Sequence, residues 1–502
     1  MVKMSNTINL AERWLHHCEV PEKIAIAHQD CEITYEQLKS SMAKLASAFE
    51  QIGLQKDSRV VIGLNDSPIL HTCFLASLAF GAIPIVINPK LSESALTYII
   101  GDSDASIYVS EENGRTTFQF FHQGNKTNKV TYQTMLSYGD VAWNNYFFRD
   151  PSDVAFMQYT SGTTGNPKGV MHSSENALYI AQYFAKNTLG ATQQDVFYSL
   201  AKSFFGYGLG NSLIFPLELQ ATVVLDSEWP TIERVAANLS RYQPTLFFGV
   251  PAIYHGLASL HNSHAIVSSV RLAISAGSAL PSGIFNSWDQ QFGLRIVDGL
   301  GSTELCHIFC SHTPQTASCN SLGKPLSGYE VSIRDANQQP VAQGKTGNLW
   351  VKGPSMALGY WKNSAATQNK FVDGWYNSGD LAAIDENGEL HFKGRSDDLF
   401  KVNGRWVVPS EIEVKLAHNF PTILELAMVP YEADDGFIKP SLWVVPRQGV
   451  DSHSLKREVN HWCSQNLSSY QRPNLITMID ALPRNDNGKV VRKRLMHLEE
   501  VA

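Results

Sequence analysis

Between Leu38 and Phe292 the apolar residues switch repeatedly from helical spacing to short unbroken runs, and this alternation confines the chain to folds made of βα units. Leu38, Met42, Leu45, Phe49 and Ile52 share one helix face, and Gly53 supplies the stop. Val60–Leu64 reads as a buried strand, followed by an apolar helix after Pro68 and a strand at Ile83–Ile87. Pro230 opens another helix with Ile232, Val235, Ala236 and Leu239 inward, and Thr245–Val250 is the strand that follows. Val270–Ala276 is a further strand, and Pro281 starts a helix carrying Ile284, Phe285, Trp288 and Phe292. Repeated units of this kind predict mostly parallel sheets with helices on their faces.

From about Gly347 the pattern shortens to β segments. Ala382–Ile384 and Glu389–Phe392 flank Asp385-Glu-Asn-Gly388, an Asn-Gly hairpin signal. The polar stretch Gly394-Arg-Ser-Asp-Asp398 follows, and the domain boundary is expected there, with residues 1–394 in a large α/β domain and 395–502 in a small α+β domain. A length of 502 residues agrees with more than one core. With 43% hydrophobic and 17% charged residues the composition is that of a globular protein. The net charge of −7 argues against non-specific binding to nucleic acid or an anionic membrane, so a polyanionic ligand must be met by a few placed cations.

The N-terminus has no apolar run of signal-peptide type, and Cys73–Ile87 is too short to span a bilayer and is broken by Gly81 and Pro84. Seven scattered cysteines make no disulfide framework. Cys306 and Cys310 bracket His307 but lack a second pair at metal-finger spacing, so they read as packing residues. A cytoplasmic location is expected.

Tyr159-Thr-Ser-Gly-Thr-Thr-Gly-Asn-Pro-Lys-Gly-Val170 follows the strand-like stretch Val154–Gln158. Hydroxyls at Thr160, Ser161, Thr163 and Thr164, permissive Gly162 and Gly165, and the cation of Lys168 suit a loop around phosphate; a flexible surface turn is the other reading. A Walker P-loop is excluded, because Pro167 precedes the lysine and Gly169 follows it.

This segment resembles the phosphate loop of the acyl-adenylate-forming superfamily, which holds acyl- and aryl-CoA ligases, luciferases and peptide-synthetase adenylation domains. Four further stretches resemble its motifs in order, so the likeness covers nearly the whole chain. Gly299-Leu-Gly-Ser-Thr-Glu304 implies that Thr303 binds phosphate and that Glu304 holds Mg²⁺, for which a carboxylate oxygen is a suitable hard ligand. Trp375-Tyr-Asn-Ser-Gly-Asp-Leu381 implies that Asp380 accepts from the ribose hydroxyls, with Ser378 in place of the usual threonine. Gly394–Gly404 is similar to the hinge motif: Arg395 on ribose or phosphate, Asp397 as pivot, and Lys401 and Gly404 turned to the site in the second half-reaction. Pro483-Arg-Asn-Asp-Asn-Gly-Lys489 implies that Lys489 reaches the carboxylate and the α-phosphate. The implied fold is a large domain of stacked βα sheets with a small β-barrel, plus a mobile C-terminal domain.

The implied reaction is transfer of a carboxylic acid to AMP from ATP, then to a thiol, with ATP, Mg²⁺ and coenzyme A required and no covalent enzyme nucleophile. Ser203-Phe-Phe-Gly-Tyr-Gly-Leu-Gly-Asn211 mixes aromatics with glycines and suits a flat ring slot; a helix packed through its glycines is the alternative. The resemblance narrows here to benzoate- and anthranilate-CoA ligases. It implies a pocket of Phe205, Tyr207, Gly208, Ala276, Gly277, Gly299, Gly301 and His307 for a small aromatic acid, with anthranilate the leading candidate. A carrier-protein pantetheine thiol as acceptor, a non-catalytic adenylate-binding protein, and a homodimer stay open.

Overall fold

The computed structural model describes residues 7–29, 31–160, 166–278, 280–319, 321–433, 435–484 and 490–496. The chain divides into two compact units, residues 1–331 with 351–376, and residues 332–350 with 377–502.

The first unit is built on two large sheets. In the nine-stranded sheet the strands run in the spatial order Lys324–Pro325, Ile308–Ser311, Ile296–Gly301, Leu272–Ala276, Leu246–Gly249, Val196–Ser199, Thr222–Leu225, Ile24–His28 and Cys31–Thr34. Its centre is parallel and its edges antiparallel. The eight-stranded sheet runs Gly359–Tyr360, Lys168–Ser173, Val154–Thr160, Ile83–Val86, Arg59–Gly63, Ala105–Glu112, Arg115–His122 and Asn125–Thr131. Its central strands, from Val154–Thr160 to Ala105–Glu112, are parallel. Parallel strands need crossover connections, and the helices that the sequence pattern marks supply them.

Local chemistry sets the helix ends. Thr34 and Gln37 form a reciprocal capping box that starts Tyr35–Gln51, and Leu38, Met42, Leu45 and Phe49 are buried along it as the spacing predicts. Ser67 caps Pro68–Phe80, which is apolar on every side and buried from Leu70 onward; each large side chain removed from water there contributes about 2 kcal/mol. Gly81 ends it at φ 98°, where a side chain would also strike the Phe147 ring. Thr231 caps Ile232–Tyr242, and Ser282–Phe292 starts one residue after Pro281 and ends at left-handed Gly293. Three of the described segments, Glu12–His16, Ala181–Thr188 and Gly210–Ile214, are wound with i→i+5 hydrogen bonds, which no apolar spacing announces.

The second unit holds the hairpin signalled by Asn387-Gly388. Asp385 organises its turn: the carboxylate accepts from the Asn387 and Glu389 amides, both at 2.9 Å, while Gly388 at φ 76° closes back onto the Asp385 carbonyl. The flanking strands are Trp375–Ile384 and Leu390–Arg395, part of a five-stranded sheet that occupies the region of the expected small barrel. Beyond it Ile423–Glu432, Ile438–Pro446 and Leu475–Met478 form a three-stranded sheet, with Val407, Ile412, Leu416, Met428, Val444 and Val459 in the core beneath it. Among the described residues no helix is long and apolar enough to cross a membrane, and Cys18, Cys31, Cys73, Cys306 and Cys463 are free thiols.

Candidate active site

Thr160 and Lys168 are opposite partners on the adjacent antiparallel strands Val154–Thr160 and Lys168–Ser173. Ser161, Gly162, Thr163, Thr164 and Gly165, assigned above to phosphate, lie outside the described residues, as does Lys489. The Lys168 ammonium stands 5.3 Å from the centre of the Tyr360 ring. The Tyr360 hydroxyl donates to Glu304 Oε1 at 2.8 Å. The Glu304 carbonyl accepts from the Ala357 amide at 2.8 Å, and the Thr303 carbonyl accepts from the His172 ring at 2.9 Å. Burial pushes the His172 imidazole down to about 4, so it is a neutral, fixed donor. Lys168 and the adjacent pair Thr303 and Glu304, far apart in sequence, are thus joined through Tyr360 and His172.

Tyr360 escaped the sequence reading, because a tyrosine in Gly-Tyr-Trp looks like core packing. The ring is indeed buried, and only its hydroxyl carries the polar role. Glu304 offers a hard carboxylate oxygen, which suits a magnesium ion carried on a polyphosphate, and Tyr360 links it to the Lys168 cation, which suits the phosphate itself. Among the described residues no group of three or more His, Cys, Asp or Glu could hold a metal by itself. Cys306 and Cys310 are buried, and burial drives the Cys306 thiol above its usual range.

The aromatic segment is anchored at its start by buried charges. The Lys202 ammonium donates to the carbonyls of Asp226 and Glu228, both at 2.5 Å, and Ser203 gives its amide to Asp66 Oδ1 at 3.0 Å. Burial lowers the Lys202 pKa, with Asp66 and Asp226 opposing. From that anchor Phe205 packs on Phe204 at 4.5 Å, and the Tyr207 hydroxyl donates to the Ile274 carbonyl at 3.4 Å.

His307 lies under this segment, boxed by Phe215 at 4.7 Å, Phe184 at 5.2 Å and Tyr207 at 5.3 Å. Its Nε2 faces two acceptors, the Tyr207 carbonyl at 3.2 Å and Asn211 Oδ1 at 3.1 Å, so Nε2 carries the hydrogen and Nδ1 a lone pair. Burial pushes the ring down to about 3, and it is neutral at physiological pH. Buried Nδ1 has no partner among the described residues.

The glycines of the expected pocket divide by what surrounds them. Gly277, at φ 84°, faces open space. A side chain on Gly301 would come within 2.6 Å of the His307 carbonyl, and one on Gly299 within 2.8 Å of Ile308. At Gly208 a Cβ would sit 2.0 Å from the Lys202 carbonyl oxygen, so its missing side chain serves backbone packing. Ala276 and Gly299 occupy opposite positions on neighbouring parallel strands. Next to Gly299, Asp298 is buried, and burial raises its carboxyl to about 7 against the Gly299 and Leu280 amides.

In the second unit Arg395 and Asp380 are cross-strand partners, and Arg395 Nη1 donates to Asp380 Oδ1 at 2.8 Å. Ser378, the departure from the usual threonine, gives its hydroxyl to the Leu349 carbonyl at 2.9 Å and accepts the Asp380 amide at 3.0 Å. Asp397 is exposed in the short turn Ser396–Asp398. Lys401 lies opposite Trp406 with its ammonium 4.6 Å from the ring centre, and Gly404, at φ 79°, is in the turn between them. Arg492, in the basic run after Lys489, is held by the Glu413 carboxylate at 2.5 and 2.8 Å.

The family model described as AMP-binding enzyme matches residues 16–361, and the one described as AMP-binding enzyme C-terminal domain matches residues 411–489. The chain is 39% identical to the anthranilate–CoA ligase of Pseudomonas aeruginosa, over 99% of this chain and 98% of that one. It is 35% identical to the benzoate–CoA ligase of Thauera aromatica, over 92% and 90% of the two chains. Its fold is similar to the crystal structure of the anthranilate CoA ligase AuaEII in complex with anthranoyl-AMP, with a TM-score of 0.89, 28% identity, and 98% and 97% of the two chains covered.

Proposed function

The chain belongs to the AMP-binding enzyme family, and on that footing we propose that it is an ATP-dependent aryl-CoA ligase for a benzoate-class acid, with anthranilate the leading substrate. The observation that supports this reading most is the chain-long identity to an anthranilate–CoA ligase. The neutral aromatic box around His307 and the open space at Gly277 suit a flat ring.

A carboxylate is a poor electrophile, because its charge repels nucleophiles and oxide is a bad leaving group. Exchange of the pyrophosphate of ATP for the acid masks that charge and supplies AMP as a leaving group. The enzyme's task is then to hold acid and α-phosphate in line and to balance negative charge. Lys168 supplies a fixed cation, Tyr360 aligns the Glu304 carboxylate, and Asp380, oriented by Arg395, accepts from ribose. Glu304 would hold the magnesium ion, which when bound neutralises phosphate charge.

Lys489 serves the first step at the acid carboxylate and the α-phosphate. Residues 395–502 then turn about Asp397 and bring Lys401 and Gly404 to the site for the thiol. Coenzyme A is the acceptor in this reading, and a carrier-protein pantetheine is its rival.

The test is pyrophosphate release with benzoate, anthranilate, salicylate, hydroxybenzoates and a medium-chain fatty acid, each with and without coenzyme A. Anthranilate should be turned over fastest, with a CoA thioester as product. Faster turnover of the fatty acid than of every aryl acid would remove the aryl reading.

A further inference from the structure

Gln158 is 1% exposed, and neither its Nε2 nor its Oε1 has a hydrogen-bond partner among the described residues. It sits on Val154–Thr160, two residues before the end of a strand paired on both sides, by Ile83–Val86 and by Lys168–Ser173. Strand alternation puts its side chain on the face of Phe156, whose ring stacks on His172 at 5.2 Å. The amide reaches the aromatic segment: a Cβ on Gly206 would lie 3.3 Å from Gln158 Oε1, 3.3 Å from the Cys306 carbonyl and 3.7 Å from the Thr303 Cα. Its head group therefore lies where the aromatic segment meets the Thr303–Glu304 motif.

Two facts separate this amide from an ordinary core glutamine. Buried side-chain amides are normally bonded, and leaving both ends unmet costs free energy in every folded molecule. The orphaned polar atoms are also concentrated. In the first unit they belong to Gln158, Ser203, Ser275, Ser302, His307 and Trp288, and only Trp288 lies away from the segments described above.

An amide presents a donor and an acceptor one bond angle apart. An aromatic acid with an amino or hydroxyl group ortho to its carboxylate presents a donor and an acceptor on neighbouring ring positions, the complementary pair. We propose that the Gln158 amide reads the ortho position of the acid, its Oε1 accepting from the ortho donor and its Nε2 donating to the neighbouring carboxylate oxygen. The assignment rests on the aryl-acid reading above. It makes Gln158 a specificity-determining residue for the established family reaction.

The experiment compares kcat/KM for anthranilate, benzoate and 2-methylbenzoate, the last matching anthranilate in shape but lacking the donor. In the wild-type protein anthranilate should exceed 2-methylbenzoate by about tenfold to a hundredfold, because a site built to bond a donor rejects the analogue without one. Gln158→Met should collapse that ratio towards one. It should also raise the melting temperature of the ligand-free protein, since it removes two unmet polar groups. An unchanged ratio in Gln158→Met overturns the assignment and leaves the aryl reading standing, whereas a wild-type protein that activates no aryl acid takes both down. Should the variant fail to fold, the wild-type comparison decides, and equal turnover of anthranilate and 2-methylbenzoate overturns the proposal.

Discussion

The Tyr360 hydroxyl donates to Glu304 Oε1 at 2.8 Å, tying the short strand Gly359–Tyr360 to the carboxylate of the Gly299–Glu304 motif. On the proposed reading, that hydrogen bond leaves Glu304 Oε2 for the magnesium ion of the nucleotide. Tyr360→Phe keeps the ring under Lys168 and removes only that restraint. Partners that orient a ligating group are typically worth ten- to a hundredfold, so kcat/KM for pyrophosphate release should fall by about tenfold. The magnesium concentration giving half-maximal rate should rise, and a titration of rate against magnesium reads both effects. A variant with unchanged magnesium dependence would show that Tyr360 serves packing alone.

Asp298 should make stability depend on pH. Its carboxyl holds a proton in the fold up to about 7, against 3.8 for the ordinary group, because burial penalises the charge. The native state then binds more protons than the unfolded one between those values, and stability falls as pH rises from about 4 to about 7. Asp298→Asn cannot titrate. Its stability relative to wild type should increase across that interval by on the order of a few kcal/mol and level off above it. Urea denaturation at pH 4.5, 6 and 7.5 measures this, and a constant difference would contradict the buried-acid account.

Gly208 should tolerate no side chain. A Cβ there falls 2.0 Å from the Lys202 carbonyl oxygen and 2.4 Å from that of Ala201, both backbone atoms held by the Lys202 anchor. Gly208→Ala must displace that anchor at a cost of about 1–3 kcal/mol. Thermal melting should drop by several degrees. Gly277→Ala is the control for crowding, since nothing lies within 4 Å of its Cβ and only its positive φ is strained. Equal losses in the two variants would mean that contact is not what makes Gly208 necessary.

Lys489 tests the division of labour between the half-reactions. Lys489→Ala should lower acyl-adenylate formation by on the order of a hundredfold or more, the usual cost of removing a charge-stabilising group. It should leave thioester formation from supplied acyl-adenylate close to wild type. Rapid-quench measurement of each half-reaction separates the two. Equal loss in both would end the assignment of Lys489 to the first step alone.

The sequence was most readable where one periodicity acted alone. Ile232, Val235, Ala236 and Leu239 recur at helical spacing, and the helix expected to open at Pro230 starts two residues later, at Ile232. Strand positions were read well in the buried parallel centres, where unbroken apolar runs have one interpretation. The i→i+5 turns at Ala181–Thr188 and Gly210–Ile214 were not readable, because their winding depends on tertiary packing. Among the candidate site residues, charged and glycine-rich motifs pointed to Lys168, Glu304, Asp380 and Arg395. Tyr360 and Gln158 gave no such notice, being single polar groups on strands that otherwise read as core. His307 was visible as a candidate, but its tautomer needed the Tyr207 and Asn211 oxygens to be located.

Every described residue of the expected ring pocket, from Phe205 to His307, belongs to the first unit, whereas Asp380, Arg395, Lys401 and Gly404 belong to the second. On the proposed reading, recognition of the acid and handling of ribose and thiol are written in separate stretches of polypeptide. A lineage could then change its diet by a handful of replacements around Gly277 and His307 without touching Asp380, Arg395, Lys401 or Gly404. Splicing residues 377–502 from a relative onto this body should likewise change how fast the product leaves far more than which acid is chosen.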